Sequence, residues 1–565
     1  MRAIQRSQGC LQLPRWCGVR LRSYGAAYHG SCVAGSVDRV NDAGFVEPVV
    51  GGFHPLQLRH ESNVLLSYGW LVSAEGCIVT FFPCDSGWVV ARMGGMSHLE
   101  VPRFPRGFLL AEHSVHPPPG YLPGPLLENF YVHPWTHVEC AGNTDLFVIV
   151  IGHLVPTTPG QGNDPAQCLL TALRDSETQF LAALSEYSGR HAVIFGSLGN
   201  IRVVNDATAM RSVFYASDGG VIASHALLVE QALGGEIRVD DLVYRYGYPG
   251  NRTPYVRTKL LSANTYYWLT ANVVKRFWPL VAPPERDVES VAAEALDAAT
   301  VAFRNMSAGR KVKMALTAGL DSRTILAVGL RSGVPFDTYT YGIGADTARD
   351  QAFAKDLAAH VGVEHTSVPH VELTEELRYS LDEAHYLQHH QGVVNALAHF
   401  FGDPTTLAVS GNLLEIGRSF YAIHKRNGAD APVSAETMTG LYYRAISGKT
   451  KREIKEYGFD RFMSVSERAF GGFIADTGFD IVQNLVNPFD LFYWEHRMSA
   501  WHGPAMVERD FYGVAFIPFN SRRIFEAMLG VAQEQRDESA VFYRMIEMVD
   551  RGLLELPVNP KQWPQ

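Results

Sequence analysis

The chain has 565 residues, 47% of them apolar and 19% charged, and a formal net charge of −9. This balance excludes global disorder and argues against a general nucleic-acid binder, which needs basic faces to displace counterions from phosphates. No apolar run reaches the roughly 18 to 20 residues that span a bilayer, so no membrane association is expected, and the length calls for two or three domains.

In chain order, residues 1–37 hold Arg2, Arg6, Arg15, Arg20 and Arg22 but no acidic residue. An N-terminal extension over 1–43 is expected, a flexible tail or the product of an upstream start. An organelle transit segment, which is Arg-rich and acid-poor, is the other reading. The seven cysteines, from Cys10 to Cys168, make neither a dense disulfide framework nor a CxxC pair, which fits a reducing cytoplasm. With none beyond residue 168, the larger part of the chain cannot use a thiolate nucleophile.

From about 44 to 275, short β-rich pieces such as GCIVTFFPC, LFVIVIGHLV, RHAVIFG and NIRVVND alternate with turn residues. They predict hairpins stacked into antiparallel sheets, with a helix over 164–188, where Leu, Phe and Ala recur at three and four. The three prolines of FWPLVAPPERD, 277–287, mark a boundary. Beyond it come a helix near 287–305, the strand KVKMAL, a helix from about Ser322, the strand DTYTYG, the helix DQAFAKDLAAHVG and the strand VEHTSVPH. That alternation predicts a doubly wound parallel sheet. From about residue 430 the pattern is mostly helical to the end, broken at NPFD and PFNSRR.

Ligands of such sheets sit beyond the carboxyl ends of the strands, where MALTAGLDSRTILA, 314–327, makes its turn. A strand-to-helix connection needs a tight turn and a capping Asp or Ser, which is one account of TAGLDS. The other is a phosphate cradle. Small residues let the backbone approach an oxyanion at a helix N-terminus, Thr317 and Ser322 donate hydroxyl hydrogen bonds, and Asp321 holds Mg²⁺ beside phosphate oxygens. The strand TTLAVS ends in Ser410-Gly411, and the following NLLEIGR brings Glu415 as a second hard oxygen ligand. The pairing favours the cradle.

LTAGLDSR resembles the pyrophosphate loop LSGGLDS of the asparagine synthetase family, and SGNLLEIGRSFY resembles that family's SGEGADELFGGY. NPFDLFYWEHRMSAWHG, PFNSRRIFEAML and LLELPVNP are similar to its helical C-terminal part, and 189–233 to part of its glutaminase domain. The resemblance implies an α/β protein: a degenerate N-terminal Ntn-type αββα sandwich over 44–278, then a PP-loop ATP pyrophosphatase (HUP-like) domain over 287–565. The latter is a doubly wound parallel sheet with a helical C-terminal part. It implies binding of ATP by Leu316, Thr317, Ala318, Gly319, Leu320, Asp321, Ser322, Tyr341, Gly342, Ser410 and Gly411, and of Mg²⁺ by Asp321 and Glu415. Both acids and Arg418 are expected to be catalytic. Arg418 or Lys561 is left to replace a family lysine whose aligned position holds Ala540. Two departures matter. Arg2 stands where the family's glutaminase has its nucleophilic cysteine, so that half is expected to be inactive. Asn412 stands where the family has a glutamate proposed as base, and an amide cannot take a proton.

The expected function is an ATP-dependent, carbon–nitrogen bond-forming ligase that adenylates a small-molecule or peptide carboxylate and transfers it to ammonia or an amine. It would be cytoplasmic, with a homodimer as candidate assembly. A non-catalytic nucleotide-binding or scaffold protein, and a glutamine-hydrolysing asparagine synthase, are the alternatives. SGKT, 447–450, lacks the first glycine of a phosphate-binding P-loop. His385 and His389, near Asp382, are read as helix-surface residues rather than metal ligands. Arg323, Arg418, Arg522 and Arg523 are candidate anion contacts, with surface pairing the competing reading for the last two.

Overall fold

The computed structural model describes strand segments within the first 100 residues. From Val101 to Asn559 it describes all but 162–163, 236–237, 239–241, 243, 343–344, 388–390 and 422–432. Residues 1–37, with Arg2, Cys10, Cys17 and Cys32, lie outside the described residues, as do His389 and Lys561. Two compact units divide at Glu100. The first holds a short hairpin, 38–40 with 46–48, and a three-stranded antiparallel sheet over 69–72, 78–84 and 87–92.

The second unit, Val101–Gln565, begins with two six-stranded antiparallel sheets. Their stacking explains why LFVIVIG reads as an unbroken apolar run. Phe147, Ile149 and Ile151 point into the core between the sheets with Phe108, Ile194, Ile222 and Tyr267, while Val148 and Val150 face a second cluster containing Leu169, Leu170 and Phe180. A strand buried on both faces does not alternate. The helix expected over 164–188 is two helices, Pro165–Asp175 and Glu177–Ser185. Ser176 breaks it: its backbone is extended and its hydroxyl accepts from Gln179 N–H, so it ends one helix and caps the next.

Residues 277–287 contain no helix or strand beyond one bridge from Arg286 to Val531. Asp287 then caps helix α1, Val288–Ser307. The parallel sheet follows: β1 (Val312–Ala315), helix α2 (Leu320–Ser332), β2 (Asp337–Tyr341), β3 (His365–Val368), β4 (Leu407–Val409) and β5 (Val514–Phe516). The strands lie in the order β3-β2-β1-β4-β5, all parallel, so the direction of winding reverses between β1 and β4. Helix α2 starts at Leu320, two residues before the expected Ser322, because Gly319 is its cap. Strand β5 falls inside the stretch expected to be mostly helical. Three buried residues, VAF, are too short for any periodicity to show, and pairing to β4 makes them a strand.

The sandwich and the helical C-terminal part are locked by buried polar contacts. Arg190 grips Asp510 through both terminal nitrogens at 2.5 and 2.9 Å, Arg276 does the same to Glu495, and Trp494 Nε1 donates to the Ala207 carbonyl. Among the described residues no helix is long and apolar enough to cross a membrane.

Candidate functional site

Strand β1 ends as Leu316 N–H donates to the Tyr339 carbonyl at 2.9 Å, and the chain then turns through Thr317-Ala318-Gly319 into α2. Gly319 has no side chain to cap the helix, so the N–H groups of its first turn have no side-chain acceptor, and the positive end of the helix dipole is turned to whatever lies above. The hydroxyls brace the loop: Thr317 Oγ1 accepts from Gly319 N–H at 3.3 Å and shares a 2.9 Å hydrogen bond with Ser322 Oγ. Ala318 is buried and faces away, its carbonyl held from behind by Arg323 Nη2 and by Asn559 N–H.

The second turn comes off β4. A Cβ on Gly411 would stand 2.6 Å from the Asp321 carbonyl oxygen, so glycine lets this turn press against the start of α2. Leu413 takes a left-handed conformation, φ 81°, and the short 3-10 turn Leu414–Gly417 that follows carries Glu415. Arg418 Nη2 lies 2.6 Å from Asp321 Oδ1 and 3.5 Å from Glu415 Oε1, so one cation is shared by two carboxylates from different turns. Burial and then the Glu415 charge push Asp321 well above the usual carboxylate range, while Arg418 pulls the other way.

A cleft of about 760 Å³ opens over these turns, where β1 and β4 diverge. It brings together Leu316, Thr317, Gly319, Leu320, Asp321, Ser322, Tyr341, Ser410, Gly411, Glu415 and Arg418. Ala318 and Gly342 are not in its lining. The backbone of Gly342 is left-handed, φ 130°, and a Cβ there would meet Thr347 at 2.5 Å. The donor set suits a hard divalent cation: Glu415 and Asp321, whose tightly held proton a bound cation would displace, offer hard oxygens, and substrate phosphates and water can complete an octahedron. No group of three or more His, Cys, Asp or Glu residues suited to a metal occurs among the described residues, so such an ion would depend on its substrate for ligands.

Residues 293–397, spanning α1, β1, the TAGLDS turn, α2, β2 and β3, match the family model described as asparagine synthase. This segment is asparagine synthetase-like. No curated protein matches it. Similar solved structures include the glutamine phosphoribosylpyrophosphate amidotransferase from B. subtilis complexed with ADP and GMP. It is 12% identical, covering 53% of this chain and 62% of that one, at a TM-score of 0.17. Another is an allosteric regulatory enzyme of purine biosynthesis, 12% identical, with coverages of 56% and 61% and a TM-score of 0.17. A third is the glutamine-dependent NAD⁺ synthetase from Acinetobacter baumannii in complex with adenosine diphosphate, 12% identical, with coverages of 43% and 60% and a TM-score of 0.14. The chain spans about three fifths of the length of these structures, and likeness at this level carries no argument about its chemistry.

Several other side chains singled out in the sequence stand outside the cleft. Arg323 does not face an anion. It is fully buried and donates to the carbonyls of Ala318, Leu553, Leu556 and Pro557, clamping the C-terminal segment beneath the loop. Arg522 is buried against Asn264 and the Phe277 ring, and Arg523 makes the surface pairing that was its competing reading, with Glu186 and Glu294. His385 is not on a helix surface but buried at a helix end, 2.7 Å from Glu508. Ser447 of SGKT caps a helix through Thr450 N–H. One cleft residue had no motif to betray it: Arg509, on a 3-10 turn just before β5, donates to Ser410 Oγ at 2.7 Å and Asn412 Oδ1 at 3.1 Å. Nothing in MVERDFYG marks its arginine, and the sheet alone brings it to the site.

Proposed function

We propose that the protein is an ATP-dependent ligase that forms carbon–nitrogen bonds, with a glutaminase-like, Ntn-type sandwich that has no amidotransferase role, then a synthetase region over 287–565 that does the chemistry. The observation that carries the reading is the uncapped start of α2, which carries Asp321, facing Glu415 across one cleft at the reversal of the parallel sheet. ATP would lie with its phosphates over Thr317–Ser322 and its base beside Tyr341. Asp321 and Glu415 would hold Mg²⁺, which neutralises phosphate charge when bound. A substrate carboxylate oxygen attacks the α-phosphorus, the α–β bridge bond breaks, and pyrophosphate leaves with the bonding pair. Ammonia or an amine then attacks the acyl carbon, AMP leaves, and the proton of the new amide nitrogen passes to solvent. Arg418, already bound to both acids, is placed to swing onto phosphate oxygens once a metal ion takes its carboxylates. A cytoplasmic location and a homodimer belong to this reading as expectations.

Carboxylate-dependent ATP–pyrophosphate exchange and release of AMP test it, and Asp321→Asn should lower exchange by about 100-fold or more by removing an ionic ligand. Absence of exchange across a broad panel of acids would count against it. A second reading, a nucleotide-binding protein without turnover, is favoured by Asn412, whose amide is occupied by Arg509, and by Ala540, which puts a methyl group where the family has a lysine. Tight Mg-ATP binding with no AMP formed would select it.

A further inference from the structure

Resting on the ligase reading, we propose that Arg509 receives the substrate's carboxylate and that the small cavity behind it takes a short aliphatic tail, so that the acid activated is a compact aliphatic carboxylate. The cavity, of about 100 Å³, adjoins the nucleotide cleft and shares Tyr341, Asn412 and Arg509 with it. Hydrocarbon makes up more than half of its wall, from Val393, Val394, Leu397, Ala505, Met506 and the Tyr512 ring, with Trp501 and the His502 imidazole beside them. It is smaller than the roughly 150 Å³ that accommodates benzene, and suits a chain of a few carbons.

Arg509 stands where the two spaces meet. Its hydrogen-bond partners among the described residues are both neutral, Ser410 Oγ and Asn412 Oδ1, whereas the neighbouring Arg418 is claimed by two carboxylates. A guanidinium has five N–H donors in a planar fork and binds a carboxylate best through two of them. Ser410 and Asn412 flank Gly411, the residue pressed against the Asp321 backbone, so a carboxylate held at Arg509 shares the cleft with the phosphate turn. The other formally charged group in the cavity lining is Glu508, which is bound to His385 and would repel a second acid group. A dicarboxylate such as aspartate is therefore disfavoured, despite the family likeness.

The test uses the full chain, with Mg-ATP binding measured by calorimetry and ATP–pyrophosphate exchange measured with butanoate, 3-methylbutanoate and aspartate. Exchange should favour an aliphatic acid over aspartate by about tenfold or more in kcat/KM. Arg509→Met should raise the KM for that acid about tenfold or more with little change in Mg-ATP affinity, and Arg509→Lys should recover part of the loss. Ala505→Leu, which fills the cavity, should shift preference from 3-methylbutanoate to butanoate, and it decides the matter alone if Arg509→Met does not fold. Preference for aspartate, an unchanged acid KM in Arg509→Met, or Mg-ATP binding with exchange from none of the three acids would overturn the assignment. Failure to bind Mg-ATP at all would instead overturn the ligase reading beneath it.

Discussion

At the scale of single residues the site is decided by which cation each carboxylate or amide engages. Asn412 is the clearest case, because its amide oxygen sits 3.1 Å from Arg509 while the preceding Gly411 is pressed against the Asp321 backbone. Asn412→Glu would put a carboxylate one methylene further out at that point. It would supply the base that an amide cannot, yet it would also pair with Arg509 in a charge-assisted bond stronger than the present neutral one. The expected result is a KM for the carboxylate substrate raised about tenfold or more, whatever happens to kcat, since the added acid competes for the guanidinium. A steady-state split of KM and kcat checks it, and an unchanged KM would mean that Arg509 does not bind substrate. The acidic pair was legible in the sequence because both carboxylates sit in glycine-bearing turns after strands. Arg509 was not, because nothing local distinguishes an arginine that the sheet carries into a cleft from one on a surface.

At the scale of elements, the cleft depends on how closely the β4 turn approaches α2. Gly411→Ala would set a methyl 2.6 Å from the Asp321 carbonyl oxygen and 2.8 Å from its carbon, both backbone atoms that a rotamer change cannot move aside. One of the two turns must shift, at a cost of about 1 to 3 kcal/mol for an overpacked contact. Mg-ATP affinity should fall together with thermal stability, which paired calorimetry and melting curves would show; an alanine variant with wild-type affinity would mean the turns are not coupled. The same contact explains which elements could be read in advance. Strand β1, the turn and α2 announce themselves through a run of apolar residues broken by small ones. The split at Ser176 was hidden, since a serine inside a helical pattern gives no sign whether it caps or merely faces water, and the 3-residue β5 was hidden because its partner, β4, lies about 100 residues away. Long-range pairing leaves no periodicity behind.

At the scale of the whole molecule, the sandwich and the synthetase-like part meet around an electrostatic imbalance. Asp510 is buried among Arg106, Arg190 and Arg211, the nearest approach being 2.5 Å from Arg190, and these three cations share one carboxylate. Asp510→Asn would remove the carboxylate they share, and removing one partner of a buried pair costs about 3 to 5 kcal/mol, so the variant should melt well below the parent. The same neighbourhood holds His133, His191 and His225, all buried. Burial, aided by the arginines, lowers His133 and His225 to about 3, while His191 is lowered to about 4. The sign of the linkage is fixed by these directions. An unfolded histidine takes up its proton near pH 6.5, whereas the folded ones stay neutral until the solution is far more acidic. Between those limits the unfolded state binds more protons, and stability, complete above about 6.5, drains away as pH falls. At pH 5 the loss is about 2 kcal/mol for each such ring, from about 1.4 kcal/mol per pH unit. Urea midpoints should therefore drop steeply from pH 7 to pH 5, and replacing His191 by Gln, which has no proton to gain, should flatten part of that slope. A midpoint independent of pH over this range would mean that these rings are not held neutral, and that the interface carries its positive charge by some other arrangement.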